Sequence, residues 1–398
     1  MQELDFAFAP VSKSILAERW EKLQEETMRF CVTHVRNQLL EIRTNSSIPS
    51  VLLEKLKLTG WFGLLIPKHY GGLGGDCLAR VINVEHVTRE CPDLGAILQI
   101  AQLGTGSILE FGSEKQKQKW LPAMVWGDRI CTIAITEEHS GSHVNGMNTF
   151  YKETAGGYIL NGSKCFIGNC SIANLHVVYA RKKGTDRLSA FIVEGERAGV
   201  DNTEAHNHQG LKAFPFGRLH LRNVFVPREN ILGPKGDGLR LAYYVIGHHG
   251  RPSLTALALG IHLRILDIAF SFARGRKLYG KPISELPDVR NKIFDVYMRY
   301  EQSRQVAYDA AHRMSIGQNS AYRHLAMAKF LSGDHVCHSA NIAAEIFGAR
   351  VGLPEFEIAQ LTLDAMMTRP PSGTGDVQKM RIMDDFFNMS GRDPKTSA

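Results

Sequence analysis

Tyr158-Ile159-Leu160-Asn161-Gly162-Ser163-Lys164-Cys165-Phe166-Ile167-Gly168-Asn169 opens as a β-strand and runs at once into Asn161-Gly162, a pair that accepts positive φ and reads as a turn. The surroundings repeat this pattern. Residues 131–136, 176–180, 190–193 and 218–226, the last stopped by Pro227, are short runs of β-type composition separated by turn residues. The segment from about Arg129 to Leu232 is therefore expected to form a compact antiparallel barrel or sandwich.

Outward from this segment both flanks turn helical. Ile15, Leu16, Trp20 and Leu23 recur at helical spacing, and Ser47 is placed to cap a second helix with Pro49 in its first turn and Leu52, Leu53 and Leu56 on one face. The turn cluster Ile66-Pro-Lys-His-Tyr-Gly-Gly-Leu-Gly-Gly75 does not follow a strand in a βαβ unit, so it reads as a tight connection between helices. After Gly238 come long amphipathic stretches, 239–278, 289–314 and 322–347, with a shorter one after Asp376. Long helices joined by short turns favour a bundle. The expected fold is α+β and multidomain: an N-terminal helical domain over 1–127, a middle β domain over 128–234, and a C-terminal four-helix bundle over 235–398.

Length and composition agree with a globular enzyme. The chain has 398 residues, 44% hydrophobic and 22% charged, enough for about two to three domains. Its start, MQELDFAFAP, lacks the regions of a signal peptide, and no uninterrupted apolar run approaches the roughly 18 residues that span a membrane, so a cytoplasmic location is expected. Seven scattered cysteines form neither a disulfide framework nor a zinc site and read as structural thiols. The net charge of +7 suits an anionic partner. Its basic runs are short and lack interleaved aromatics, which argues against nucleic acid.

Five segments at the joints carry more information than composition. They are Ile135-Thr-Glu-Glu-His-Ser-Gly-Ser-His143, Asn161-Gly-Ser-Lys-Cys-Phe-Ile-Gly-Asn169, Val224-Phe-Val-Pro227, Arg274-Gly-Arg276-Lys-Leu-Tyr279-Gly-Lys-Pro-Ile283, and Ile346-Phe-Gly348 with Ser372-Gly-Thr374. In this order they resemble the T-E-P-x-x-G-S-D, N-G-x-K-x-W/F-I-x-N, V-x-V-P, R-x-x-F-G-x-x-I and C-terminal Gly-Thr segments of the acyl-CoA dehydrogenase superfamily. The resemblance runs from about Gly60 to Phe386. It implies FAD as cofactor, with Thr136, Ser142, Phe166 and Gly168 around the isoalloxazine, and Glu345, Gly348, Gly373 and Thr374 among the other cofactor positions. Arg276 would reach the diphosphate of a neighbouring subunit's FAD, with Tyr279 near the adenine, in a homotetramer or dimer. Ser142, Arg251 and the backbone N–H of Ser372 would line the thioester cavity. That N–H acts as an oxyanion-hole donor while enolate charge develops.

The same resemblance exposes departures. The family abstracts the α proton with a glutamate at one of two positions, and this chain has Ser372 and Gly250 there. An unassisted serine is far too weak a base at neutral pH. Gly168 replaces the usual Thr or Ser beside flavin N5, which is expected to open space there. Glu345 replaces a glutamine, placing an anion near the diphosphate unless it is protonated or turned away. His143 and His249, with His139 and His248 nearby, are candidate replacement acid–base groups because imidazole titrates near neutrality.

Three functions fit this pattern. The leading one is an FAD-dependent oxidoreductase acting on an acyl thioester, on CoA or on an acyl or peptidyl carrier protein, in a specialised pathway and not ordinary β-oxidation. It would pass electrons to an acceptor or to O2. The alternative is a flavin-dependent monooxygenase hydroxylating carbon or nitrogen with reduced flavin and O2, and the third is a non-catalytic subunit that keeps FAD for structure.

Overall fold

The computed structural model describes residues 18–387; Ile15 and Leu16 lie outside that range. The N-terminal block holds α1 (Glu18–Phe30), α2 (Leu39–Asn45), α3 (Ser50–Lys57), α4 (Cys77–Glu90), α5 (Pro92–Phe111) and α6 (Glu114–Val125). Ser47 does not cap α3. The helix starts at Ser50, with Pro49 as its N-cap residue at φ −57° and ψ 135°, because proline holds φ while lacking the N–H a helix interior needs. Residues 66–75 do connect helices, through a 3-10 turn at Lys68–Tyr70 that leads to Asp76, whose carboxylate accepts from Ala79 N and caps α4. Every residue of α4 after Cys77 is buried, so this helix is the core of the block.

The middle block holds β1 (Cys131–Ala134), β2 (Phe150–Glu153), β3 (Gly157–Gly168), β4 (Leu175–Lys182), β5 (Leu188–Glu194), β6 (Val200–Asp201), β7 (Phe216–Pro227) and β8 (Ile231–Leu232). They form one sheet in the order β6-β7-β3-β2-β4-β5-β8, with β1 also on β4. The sheet is mixed, not purely antiparallel: β1 and β2 both run parallel to β4. Residue alternation reports which face is buried but not the direction of the neighbouring strand. Asn161-Gly162 is not a turn between strands either. It sits inside β3 at a register shift between Leu160 and Gly162, a bulge that bends one long strand. Residues 158–161 of β3 pair with β2 and residues 157–160 with β7, and the stretch from Gly162 to Gly168 continues along β7 alone.

The C-terminal block begins with α7 (Gly238–Val245) and α8 (Arg251–Gly275), joined by a π-helical turn at Ile246–Gly250 where the sequence suggests one unbroken helix. At Gly247 an added Cβ would collide with the ring of Tyr322, and the wider turn accommodates this close approach. A hairpin of β9 (Lys277–Leu278) and β10 (Lys281–Pro282) follows, turning at Tyr279 and Gly280 with φ of 52° and 78°. Then come α9 (Pro287–Ser315), α10 (Ala321–Phe347), α11 (Ile358–Met367) and α12 (Gly375–Phe386). Of these α11 has no counterpart in the sequence reading. Helices α8, α9, α10 and α11 pack into the bundle, and α4 crosses between the helical blocks to lie on α8 and α9. Glu85 of α4 accepts from Tyr300 Oη and Tyr308 Oη of α9, both at 2.7 Å, and Arg89 pairs with Asp267 of α8 at 2.6 Å. Two helical segments, Pro92–Phe111 and Gly238–Gly275, are long and apolar enough to cross a membrane, but 78% and 67% of their most apolar windows are buried inside the protein. They serve as core helices.

Candidate active site

The turn after β1 is held from below. Lys164 of β3, fully buried, donates to Glu137 Oε1 at 2.8 Å and to Ile135 O at 2.9 Å, while the Glu137 carboxylate also accepts from Asn148 N at 2.6 Å and Thr149 N at 2.9 Å. Cys165 N donates to Thr136 O at 2.9 Å. The Thr-Glu segment and the Asn-Gly-x-Lys segment are thus one construction. Burial dominates at Lys164 and, against the pull of Glu137, lowers it to about 8. At Glu137 burial is outweighed by Lys164 and the backbone donors, and the carboxyl is held below its usual range. With its base fixed, the turn presents Gly141, Ser142 and His143 at the surface beside half-buried Thr136. His139 is also exposed, 3.8 Å from Glu137.

Phe166 is 52% exposed at φ 57° and borders a ring cluster from residues 206–216. Its centroid lies 5.1 Å from His206 and 5.9 Å from Phe216, which in turn stacks with Phe214 at 5.9 Å. Gly168 does not open space. A Cβ there would stand 2.6 Å from Phe214 Cζ and 2.9 Å from Ile100 Cγ1, so the room left by the missing side chain is already filled.

The two positions for the family's glutamate meet. A Cβ on Gly250 would collide with Ser372 Oγ and lie 3.3 Å from Ser372 Cβ, so these residues face each other across one small gap with no carboxylate on either. The Ser372 loop is positioned from beneath. Lys329 Nζ of α10 donates to Arg369 O at 2.5 Å and Gly373 O at 2.7 Å, and Gln378 Nε2 donates to Ser372 O and Gly373 O, both at 2.9 Å. These bonds hold Ser372 at φ 55° and Gly373 at φ 94°. Burial, then the neighbouring guanidinium groups of Arg251 and Arg369, push Lys329 down to about 7.

His249 does not replace the base. Its ring turns toward α5, where Gly106 leaves room for it, and both nitrogens are engaged: Nδ1 with Arg80 Nη2 at 2.9 Å and Nε2 with Glu110 Oε1 at 3.1 Å. Arg80 has no acceptor, so Nδ1 accepts and Nε2 carries the proton toward Glu110. Burial keeps the imidazole below its usual value. His248 stacks on Tyr244 at 3.9 Å.

The remaining positions lie on the bundle side. Arg276 follows the end of α8, and Tyr279 at the hairpin tip is 94% exposed. Glu345 is turned outward, 68% exposed and 3.6 Å from Lys292. Gly348 ends α10 at φ 57°, and Thr374 caps α12 by accepting from Val377 N.

Known proteins place this architecture. The acyl-CoA dehydrogenase N-terminal, middle and C-terminal domain models match residues 17–128, 132–224 and 236–386. An acyl-CoA dehydrogenase of Bacillus subtilis is 32% identical over 338 residues, 84% of this chain and 89% of that protein. Among solved structures, butyryl-CoA dehydrogenase from Megasphaera elsdenii superposes with a TM-score of 0.90 at 28% identity over 94% of this chain and 99% of its own. PigA with FAD and proline gives 0.88 at 26% identity over 94% and 98%. The prolyl acyl carrier protein oxidase AnaB gives 0.87 at 25% identity over 93% and 99%. The chain belongs to the acyl-CoA dehydrogenase family. It is a flavin-dependent oxidoreductase, and FAD is its cofactor. Its residues fit that group: an exposed Phe166 ring and hydroxyl-bearing turn suit an isoalloxazine, and an arginine beside an exposed tyrosine suits a diphosphate and adenine.

Sequence reasoning missed Lys329, Gln378 and Phe214. A signal existed for Lys329, the one basic side chain on a stripe that includes Leu325, Ala328, Ser332 and Val336, all buried.

Proposed function

We propose that this flavoprotein oxidises an acyl thioester, carried by CoA or by an acyl or peptidyl carrier protein, without the family's carboxylate base. The apposition of Gly250 and Ser372 supports this, since neither of the two glutamate positions carries a carboxylate. Held by the Thr136–Ser142 turn and Phe166, FAD would supply the hydride-accepting chemistry. The chain's part is to place the substrate: Lys329 and Gln378 bind the carbonyls of residues 369, 372 and 373, holding the loop on both sides of Ser372, whose N–H can meet the thioester oxygen. A carbon already activated by a hydroxyl or amine needs no proton abstraction of the kind glutamate performs. The monooxygenase reading loses one support, because Phe214 and Ile100 close the space beside Gly168.

An oligomer belongs to the same reading. The exposed hairpin, with Leu278 42% and Tyr279 94% accessible, is suited to reach a second copy, carrying Arg276 toward that copy's FAD.

Anaerobic titration with acyl-CoA and acyl-carrier-protein panels tests the proposal. Bleaching of the flavin by a thioester is expected. No bleaching by any thioester, with hydroxylated product formed on chemical reduction and admission of air, would replace it with the monooxygenase reading.

A further inference from the structure

Three ionisable groups grip the loop between β6 and β7, residues 202–215. Leu211 N donates to Asp364 Oδ1 of α11 at 2.6 Å and Ala213 N to Asp93 Oδ1 of α5 at 2.7 Å, so carboxyls from two helices hold backbone positions two residues apart. Gln360 Nε2 ties α11 to Gln209 O at 2.9 Å and to Asp364 Oδ1 at 2.7 Å. Leu211 itself stands at φ 55°, which a residue with a side chain keeps only where it is held. His208 closes the loop on itself, with Nδ1 2.8 Å from His206 O and Nε2 2.8 Å from Leu211 O. Carbonyls only accept, so both bonds exist together only when both ring nitrogens carry protons.

Asp93 lies in the first turn of α5, where a helix favours negative charge, and Asp364 lies in the last turn of α11, where it does not. Two neighbouring carboxyls away from water do not both ionise readily, so the proton stays on Asp364. Burial raises both; at Asp93 the Ala213 N–H pulls the other way, whereas the charge of Asp93 takes Asp364 further, to about 8. The other charged groups acting on the pair are His208 and Arg43 of α2. Arg43 is paired with Glu357 at 2.6 Å, and Glu357 with Arg264 of α8 at 2.8 Å; Lys212, in the loop, is exposed.

We propose that this loop is a proton-dependent latch on the flavin wall, closed while His208 is an imidazolium and Asp364 is neutral, and loosened when those protons leave. The loop carries Phe214, packed against Gly168, and leads into Phe216, stacked on Phe166. With Phe166 and Gly168 beside the isoalloxazine, as the family resemblance implies, opening the loop withdraws rings that border the cofactor. The docked loop favours neutral Asp364, so docking is strongest below the ordinary carboxylate range and weakens as pH rises toward 8.

Amide hydrogen exchange over residues 206–216 of the FAD-loaded protein, corrected for the intrinsic effect of pH, reads the latch, and FAD affinity from visible absorbance reads its consequence. Between about pH 6 and about pH 9 wild-type loop exchange should rise and FAD affinity fall about ten-fold, the size of roughly one proton-linked pKa unit. Asp364→Asn, which keeps an acceptor but cannot ionise, should flatten the upper part of both profiles. Asp93→Asn, which removes the repelling charge, should shrink the change and serves if the Asp364 variant does not fold. His208→Gln should raise loop exchange at low pH toward the alkaline level. Loop exchange independent of pH, or changing alike in wild type and Asp364→Asn, overturns the latch. Loop exchange that follows pH while FAD affinity stays constant overturns its place on the flavin wall.

Discussion

Lys164 and Glu137 stand in two motifs whose spacing marks them as important without saying that they touch. The structure supplies the reason, a buried ion pair on which the Ser142 turn is built. Lys164→Met strands the Glu137 carboxylate, and a loss of about 3–5 kcal/mol in denaturant unfolding is expected. The sign of the pH dependence follows from Glu137, whose carboxyl lies below its usual value in the folded chain. Its contribution is present above the unfolded value and is lost as pH falls through the folded one. Lys164→Met should therefore acid-unfold at higher pH than the wild type, and equal acid midpoints would show that the pair contributes nothing. Residue identity was a poorer guide at His249. Proximity in sequence to the base position suggested a catalytic imidazole, whereas the ring is locked between Arg80 and Glu110 by contacts spanning 169 and 139 residues that no local pattern reveals.

Among the elements, the long helices were legible because burial on one face writes a period into the sequence: 289–314 became Pro287–Ser315, and 322–347 became Ala321–Phe347. Features set by contacts between elements were not. The bulge at Gly162 and the π turn at Ile246–Gly250 each answer to a distant neighbour, Thr149 and Tyr322 respectively. The loop at 206–216 is another such case, since Phe214 reaches across to fill the space at Gly168. Gly168→Ser should consequently cost about 1–3 kcal/mol through overpacking and weaken FAD binding. Combining it with Phe214→Ala should cost less than the sum of the single changes, measured as a coupling energy by chemical denaturation. Additive effects would show that Phe214 does not occupy that space.

For the whole molecule, the order of helical, β and helical blocks was readable from the change of period, and the motifs at the joints pointed to FAD as the cofactor. What stayed hidden was the nearness of the buried cations Arg251 and Lys329, because all of α8 and α9 lies between them in sequence and they approach each other only in the bundle. Removing the guanidinium in Arg276→Ala should weaken FAD binding by about 1.5–3 kcal/mol, read from visible absorbance. Unchanged affinity in a monomeric species would remove Arg276 from the cofactor site. The central claim is that the chain retains the family's flavin and thioester framework but not its base. It is tested most directly by turnover of butyryl-, octanoyl- and branched acyl-CoA with an artificial electron acceptor, wild type against Ser372→Glu. Little wild-type activity is expected, with a measurable rate appearing in the variant, since general-base catalysis is worth about 10²–10⁴-fold. Robust wild-type formation of the 2-enoyl product would contradict the account.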